Sequence, residues 1–287
     1  MPEARPSKQD RDCPACGRLT PHSFQYRKNG CEIWRCETCG LGRADTASFD
    51  PQAFYTGDYF TGGRQDGYAD YPASEPVLRQ EFARTVNFMR EHQASGRLLD
   101  IGCAYGFFLL EARQHFEAAG IELAEDAAAH GRSRGLQVIS GEANPATLSS
   151  LGPMDVITLL DVIEHLPAPR ETIALCQQHL RPGGIMVITT GDFASPVARL
   201  MGSGWRLMTP PQHLWYFTPE SMHRLAAGVG LTVERLDHPA KIVPLGLIFF
   251  QLQRMLGSSL SSKSASTIGI PVNLFDAMRV VLRKPPA

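Results

Sequence analysis

Arg97-Leu98-Leu99-Asp100-Ile101-Gly102-Cys103-Ala104-Tyr105-Gly106 is the stretch on which the reading of this chain turns. Residues 97–101 are mostly apolar and carry one acid near the end, the pattern of a buried parallel strand. Gly102 and Gly106 mark a tight turn, and Phe107 to Phe116 then place apolar residues at helical spacing. A strand, a glycine turn and a helix open a nucleotide-binding α/β fold, with the ligand at the carboxyl end of the strand. Glycine lets backbone approach that ligand, and the first N–H groups of the helix are free to donate to it. The dinucleotide fingerprint does not fit, because Ala104 stands between two glycines four apart and no third glycine follows in register. About twenty residues on, the short strand Ala118-Ala119-Gly120-Ile121 ends at Glu122, where a carboxylate can accept both hydroxyls of a ribose.

Outward from this core, Leu231 to Asp237 and Met278 to Arg283 look like two further strands. Upstream, Ser74-Glu75-Pro76 starts a helix that runs to about His92 and ends by Gly96. Thr218-Pro219 starts another, with a hydroxyl cap followed by proline at the first helical position. Residues 49–71, dense in Tyr, Phe, Gly and Asp, fit no helical or strand period. They suit either an aromatic staple or a lid that closes over a pocket. Ile242 to Leu256 is strongly apolar but too short to span a membrane, and reads as a helix. It suits core packing, a substrate lid, a dimer face or a peripheral membrane contact. Ser258 to Thr267 reads as a polar loop.

Five of seven cysteines fall in the first forty residues, four of them as Cys13-Pro-Ala-Cys16 and Cys36-Glu-Thr-Cys39. Two such knuckles can face one tetrahedral ion with four thiolates, a closed structural zinc site. Ser23 to Tyr26 and Glu32 to Arg35 alternate like two strands about Lys28-Asn29-Gly30, which completes a zinc ribbon too small to fold without metal. Cys31 is a spare. Domain boundaries follow: a ribbon over 1–45, an aromatic lid or linker with a helix over 46–95, and the α/β domain over 96–287.

Charges nearly cancel over the 287 residues, with a formal net charge of −1, which disfavours a protein built to coat nucleic acid. The opening MPEARPSKQDRD has no apolar core of a secretory signal, so the expected setting is cytoplasmic.

Leu99 to Gly106 resembles motif I of the class I S-adenosylmethionine-dependent methyltransferases, with Ala104 in place of the middle glycine. Gly120-Ile121-Glu122 is similar to the family's ribose-binding strand end, and Ser140-Gly141-Glu142-Ala143 to its adenine loop. Met154 to Leu166 and Arg181 to Thr190 are similar to its fourth strand with the following turn and to its fifth strand. The front half resembles a bacterial subgroup with an N-terminal zinc module, which includes sugar C-methyltransferases. The resemblance implies a Rossmann-like seven-stranded sheet and S-adenosylmethionine as cofactor. It implies that Asp100, Gly102, Cys103, Ala104 and Gly106 surround the methionyl end, with Cys103 as packing. Glu122 would hold the ribose and Glu142 with Ala143 the adenine, while Leu123 would line the cofactor and Asp161 lie beside it.

Asp161, Glu164 and His165 share neighbouring faces if a helix begins there, and His213 lies in the loop after the fifth strand. His165 and His213 are the candidate general bases, since imidazole titrates near working pH. Asp161, Glu164, His165 and His213 also resemble the divalent-metal cluster of small-RNA terminal 2′-O-methyltransferases. The expected reaction is methyl transfer to a small-molecule acceptor: a sugar, a polyketide or a cell-envelope intermediate. Two alternatives stand beside it. One is an RNA or protein methyltransferase that uses the ribbon as reader, the other a cofactor-binding scaffold without catalysis.

Overall fold

The computed structural model describes residues 7–46, 71–244 and 269–287. Its strands, in chain order, are β1 (Lys8–Cys13), β2 (Arg18–Lys28), β3 (Cys31–Cys36), β4 (Gly42–Asp45), β5 (Gly96–Ile101), β6 (Phe116–Glu122) and β7 (Gln137–Ser140). They continue with β8 (Met154–Leu160), β9 (Leu180–Gly191), β10 (Trp215–Tyr216), β11 (Thr232–Asp237), β12 (Lys241–Pro244), β13 (Gly269–Val272) and β14 (Ala277–Arg283). The fold is α/β: β5 to β9, β11 and β14 make the seven-stranded, mixed sheet of a Rossmann-like methyltransferase. The chain divides into two compact units.

The first unit holds residues 1–51, 143–238 and 275–287. Its share of the large sheet runs β11-β14-β9-β8; β8 and β9 are parallel and β14 is antiparallel to both β9 and β11. Buried Val156, Ile157, Leu159, Ile185 to Ile188 and Val280 to Leu282 form its near-continuous apolar centre, as strands covered on both faces require. The same unit carries an antiparallel sheet in the order β1-β2-β3-β4-β10. Its hairpin turn at Asn29-Gly30 takes both residues to positive φ, +49° and +78°, which Asn and Gly tolerate best. Cys31, Ile33, Ala44, Phe193, Ala198, Trp205, Met208 and Tyr216 share one apolar cluster, so the ribbon packs against residues 193–208 of the same unit.

The second unit holds residues 52–142 and 239–274. Strands β5, β6 and β7 run parallel, and the helix Glu75–His92 buries Val77, Val86, Phe88 and Met89. One expected helix is shorter, and the first residues of another are strand. The one from Phe107 stops at Ala112, and Phe116 already belongs to β6. Ile242 to Pro244 are strand, not helix, paired antiparallel with β13. Two β-branched residues before a proline favour extended backbone. The rest of that apolar stretch, the 258–267 loop and the lid segment up to residue 70 lie outside the described residues. Tyr71, its last residue, is buried and stacks on Phe107 at 5.4 Å between ring centres.

Candidate functional site

In the second unit, β5 ends at the glycine turn. Gly102, Ala104 and Gly106 all take positive φ, of +74°, +46° and +79°. For Ala104 that is a left-handed conformation which costs an L residue about 1 kcal/mol, held only because its surroundings fix it. What fixes it is Glu122. Its Oε2 accepts the Ala104 N–H at 2.7 Å, and its Oε1 accepts the Ala124 N–H at 2.9 Å. Burial pushes the Glu122 carboxyl upward, while the Ala124 and Ala104 hydrogen bonds pull it back down. A carboxylate has about four lone-pair sites, so the acid can still accept hydroxyls.

Around this turn, Asp100 and Cys103 are buried, and burial pushes the Cys103 thiol well up, which suits packing rather than nucleophilic chemistry. Leu123 is half-buried and Glu142 exposed. The glycine turn, exposed at Gly102, and the buried acid suit the methionyl and ribose ends of S-adenosylmethionine.

In the first unit, Asp161 follows β8 with φ of +57° and is exposed. Its N–H donates to Thr189 Oγ1 at 2.9 Å, and Thr189 Oγ1 donates back to Oδ1 at 2.9 Å. Helix does not begin here. Ile163–His165 is a single 3-10 turn, since Leu166 precedes Pro167 and is driven to extended backbone. His165 Nδ1 lies 2.9 Å from the Gln212 carbonyl; a carbonyl only accepts, so Nδ1 carries the proton and Nε2 the lone pair. His213 packs against it, ring centres 4.7 Å apart at 78°. Burial lowers both imidazoles; for His213, the His165 ring adds to this, down to about 3. Donor atoms of Glu164, His165 and His213 all lie within 4.8 Å of one another, a group able to hold a metal ion. Glu164, rather than Asp161, completes that group. Thr189 and Gln212, which orient Asp161 and His165, carry no sequence signal that picks them out.

Cys13, Cys16, Cys36 and Cys39 also converge within 4.8 Å, with Sγ distances of 3.5 Å for Cys13–Cys39 and 4.0 Å for Cys16–Cys36. Four sulfurs about 2.3 Å from one tetrahedral ion stand about 3.8 Å apart, so this set fits zinc. A hydrogen bond from Cys39 lowers the Cys13 thiol to about 5, and burial pushes Cys16 up to about 12. Cys31 lies apart, in the apolar cluster shared with Trp205.

The sheet and the carboxylate-tied glycine turn are those of a class I S-adenosylmethionine-dependent methyltransferase. A family described as "Methyltransferase domain" matches residues 77–236, more than half of the chain, and the chain belongs to it. Ubiquinone biosynthesis O-methyltransferase of Caulobacter sp. is 31% identical over 148 residues, 46% of this chain and 58% of that protein. The protein of the same name from Methylococcus capsulatus is 33% identical over 168 residues, 53% of this chain and 70% of its own length. The chain thus spans little more than half of the first of these relatives. A SAM-dependent methyltransferase from Archaeoglobus fulgidus has the same fold, with 18% identity and a TM-score of 0.50 over 73% of this chain and 94% of that one.

Proposed function

We propose that this protein transfers the methyl group of S-adenosylmethionine to a hydroxyl of a small-molecule acceptor. The observation that carries the reading is the buried Glu122 carboxylate tied to the glycine turn at Ala104. The named O-methyltransferase relatives support the hydroxyl as the accepting group and a small molecule as its bearer. S-adenosylmethionine supplies a methyl group already activated on a sulfonium, so the protein's task is to bind, align and deprotonate. Glu122 holds the ribose hydroxyls. Backbone from Gly102 to Gly106, with Asp100 beneath it, receives the methionyl end. Leu123 and Glu142 border the adenine. His165, its Nδ1 proton fixed by Gln212, offers Nε2 to the acceptor hydroxyl as a general base. His213 stays neutral at working pH and orients that ring, since a group lowered to about 3 draws protons weakly.

A second reading rests on the convergence of Glu164, His165 and His213. A carboxylate and two neutral imidazoles suit a divalent cation that would lower the pKa of the acceptor hydroxyl. The four cysteines hold a structural zinc ion, and reduced thiols of this kind suit a cytoplasmic setting.

Isothermal titration with S-adenosylmethionine, comparing wild type with Glu122→Ala, tests the cofactor reading, which falls if both bind equally or neither binds. Transfer of labelled methyl to a panel of phenols and sugars, with His165→Gln beside wild type, tests the base. Adding Mn or Mg stepwise to protein whose ribbon zinc is left in place, with Glu164→Gln beside wild type, separates the two readings, because only the second needs an ion on Glu164.

A further inference from the structure

Residues 210–218 form a strap fastened on both sides, and it carries His213, which packs against His165. On one side, the Leu214 N–H donates to the Glu164 carbonyl at 2.9 Å, and the Trp215 indole N–H to the Leu166 carbonyl at 2.9 Å. Those bonds lock the strap to the turn that carries His165. On the other side is the four-cysteine ribbon. The Ala44 N–H donates to the Leu214 carbonyl at 2.9 Å, and β10 pairs with β4 through Trp215 with Arg43 and Tyr216 with Gly42. Farther along, Thr218 Oγ1 donates to the Cys39 carbonyl at 2.9 Å. At the near end of the strap stands Asn29. Its Nδ2 donates to the Pro210 carbonyl at 2.8 Å, across 181 positions of sequence.

Asn29 has an obvious local reason to be Asn: with Gly30 it forms a hairpin turn at positive φ. A turn requirement says nothing about where the side chain points, and here the amide leaves its own hairpin to hold a carbonyl three residues before His213. Gln212, between them, is the residue whose carbonyl fixes His165. Displacing Pro210 therefore moves the acceptor of His165 and the backbone of His213 together.

We infer that the ribbon positions the histidine pair, with Asn29 as the positioning residue that fixes the Pro210–His213 backbone. This rests on the reading that His165 and His213 serve the acceptor side, and it deepens that reading by assigning the N-terminal module a role in the site.

The test uses full-length protein labelled with 13C at the imidazole carbons of its nine histidines. Asn29→Gly and Asn29→Asp both keep a residue that accepts the turn conformation, and neither can donate to Pro210. His165→Gln and His213→Gln assign the two resonances of interest. His22, buried within the ribbon, reports whether the ribbon remains folded. In both Asn29 variants the His165 and His213 ring signals should move by more than a linewidth while His22 and the others hold. The inference is overturned if those two signals stay in place, whatever happens to the melting temperature. It is also overturned if the shifts spread to His22 and the remaining histidines, the mark of a turn that has merely loosened. Failure of the functional reading shows differently, as undiminished methyl transfer by His165→Gln with the Asn29 shifts intact.

Discussion

Glu122 Oε2 accepts the main-chain N–H of Ala104 at 2.7 Å, so the end of one parallel strand clamps the turn that follows its neighbour. The clamp makes the acid a structural and a binding residue at once. Glu122→Ala should cost about 2 kcal/mol or more of stability, since two buried N–H groups lose their acceptor. It should also weaken S-adenosylmethionine binding about ten- to a hundredfold, the value of hydrogen bonds to a charged group. Glu122→Gln, which keeps one acceptor oxygen, should fall between. Chemical denaturation and calorimetric titration read the two effects separately.

The glycine turn contains strain of opposite kinds at two positions. Ala104→Gly removes a left-handed penalty and should raise stability by about 0.5–1 kcal/mol. Gly106→Ala places a Cβ 2.5 Å from Leu136 Cδ1 in a left-handed conformation, and should cost about 1–3 kcal/mol. Thermal melts of the pair should move in opposite directions.

Thr218 caps the helix Pro219–Gly228 through a reciprocal pair with Ser221, and its hydroxyl also reaches the Cys39 carbonyl. Thr218→Val should cost about 1–2 kcal/mol. If the four thiolates hold zinc, freshly reduced protein carries about one equivalent, and chelation exposes all four thiols to a thiol reagent. Since the ribbon shares its apolar cluster with Phe193 and Trp205, chelation should also lower the melting temperature of the whole first unit.

Asp276 accepts from the Trp205 indole at 2.9 Å and from Arg206 through two bonds, at 3.0 and 2.8 Å. Burial alone would push its carboxyl up, but the Arg206 and Trp205 hydrogen bonds win and hold it below the usual carboxylate value. A depressed folded-state pKa means that the contribution is complete above the unfolded value near 3.8 and is lost as pH falls through the lower folded value. Asp276→Asn should therefore destabilise the protein at pH 7 and narrow its gap to wild type below about pH 4. Denaturant midpoints measured from pH 7 down to pH 3 give the slope directly.

The sequence by itself determined the elements whose signals are local. An apolar strand ending in Asp100 with a glycine turn behind it, an acid one strand later at Glu122, two cysteine knuckles and a Thr-Pro helix start each follow from neighbouring residues, and the α/β fold follows from their order. Local rules misplaced Ile242–Pro244, because a short apolar run is ambiguous between helix and strand until a partner such as β13 claims it. What only the tertiary structure decided are the relationships across long stretches of chain: Thr189 on Asp161, Gln212 on His165, Glu164 beside His213, and Asn29 on Pro210. Each depends on a backbone carbonyl, a hydroxyl or a side-chain direction that no periodicity encodes. Such contacts form only when distant segments are brought to the same few ångströms by packing.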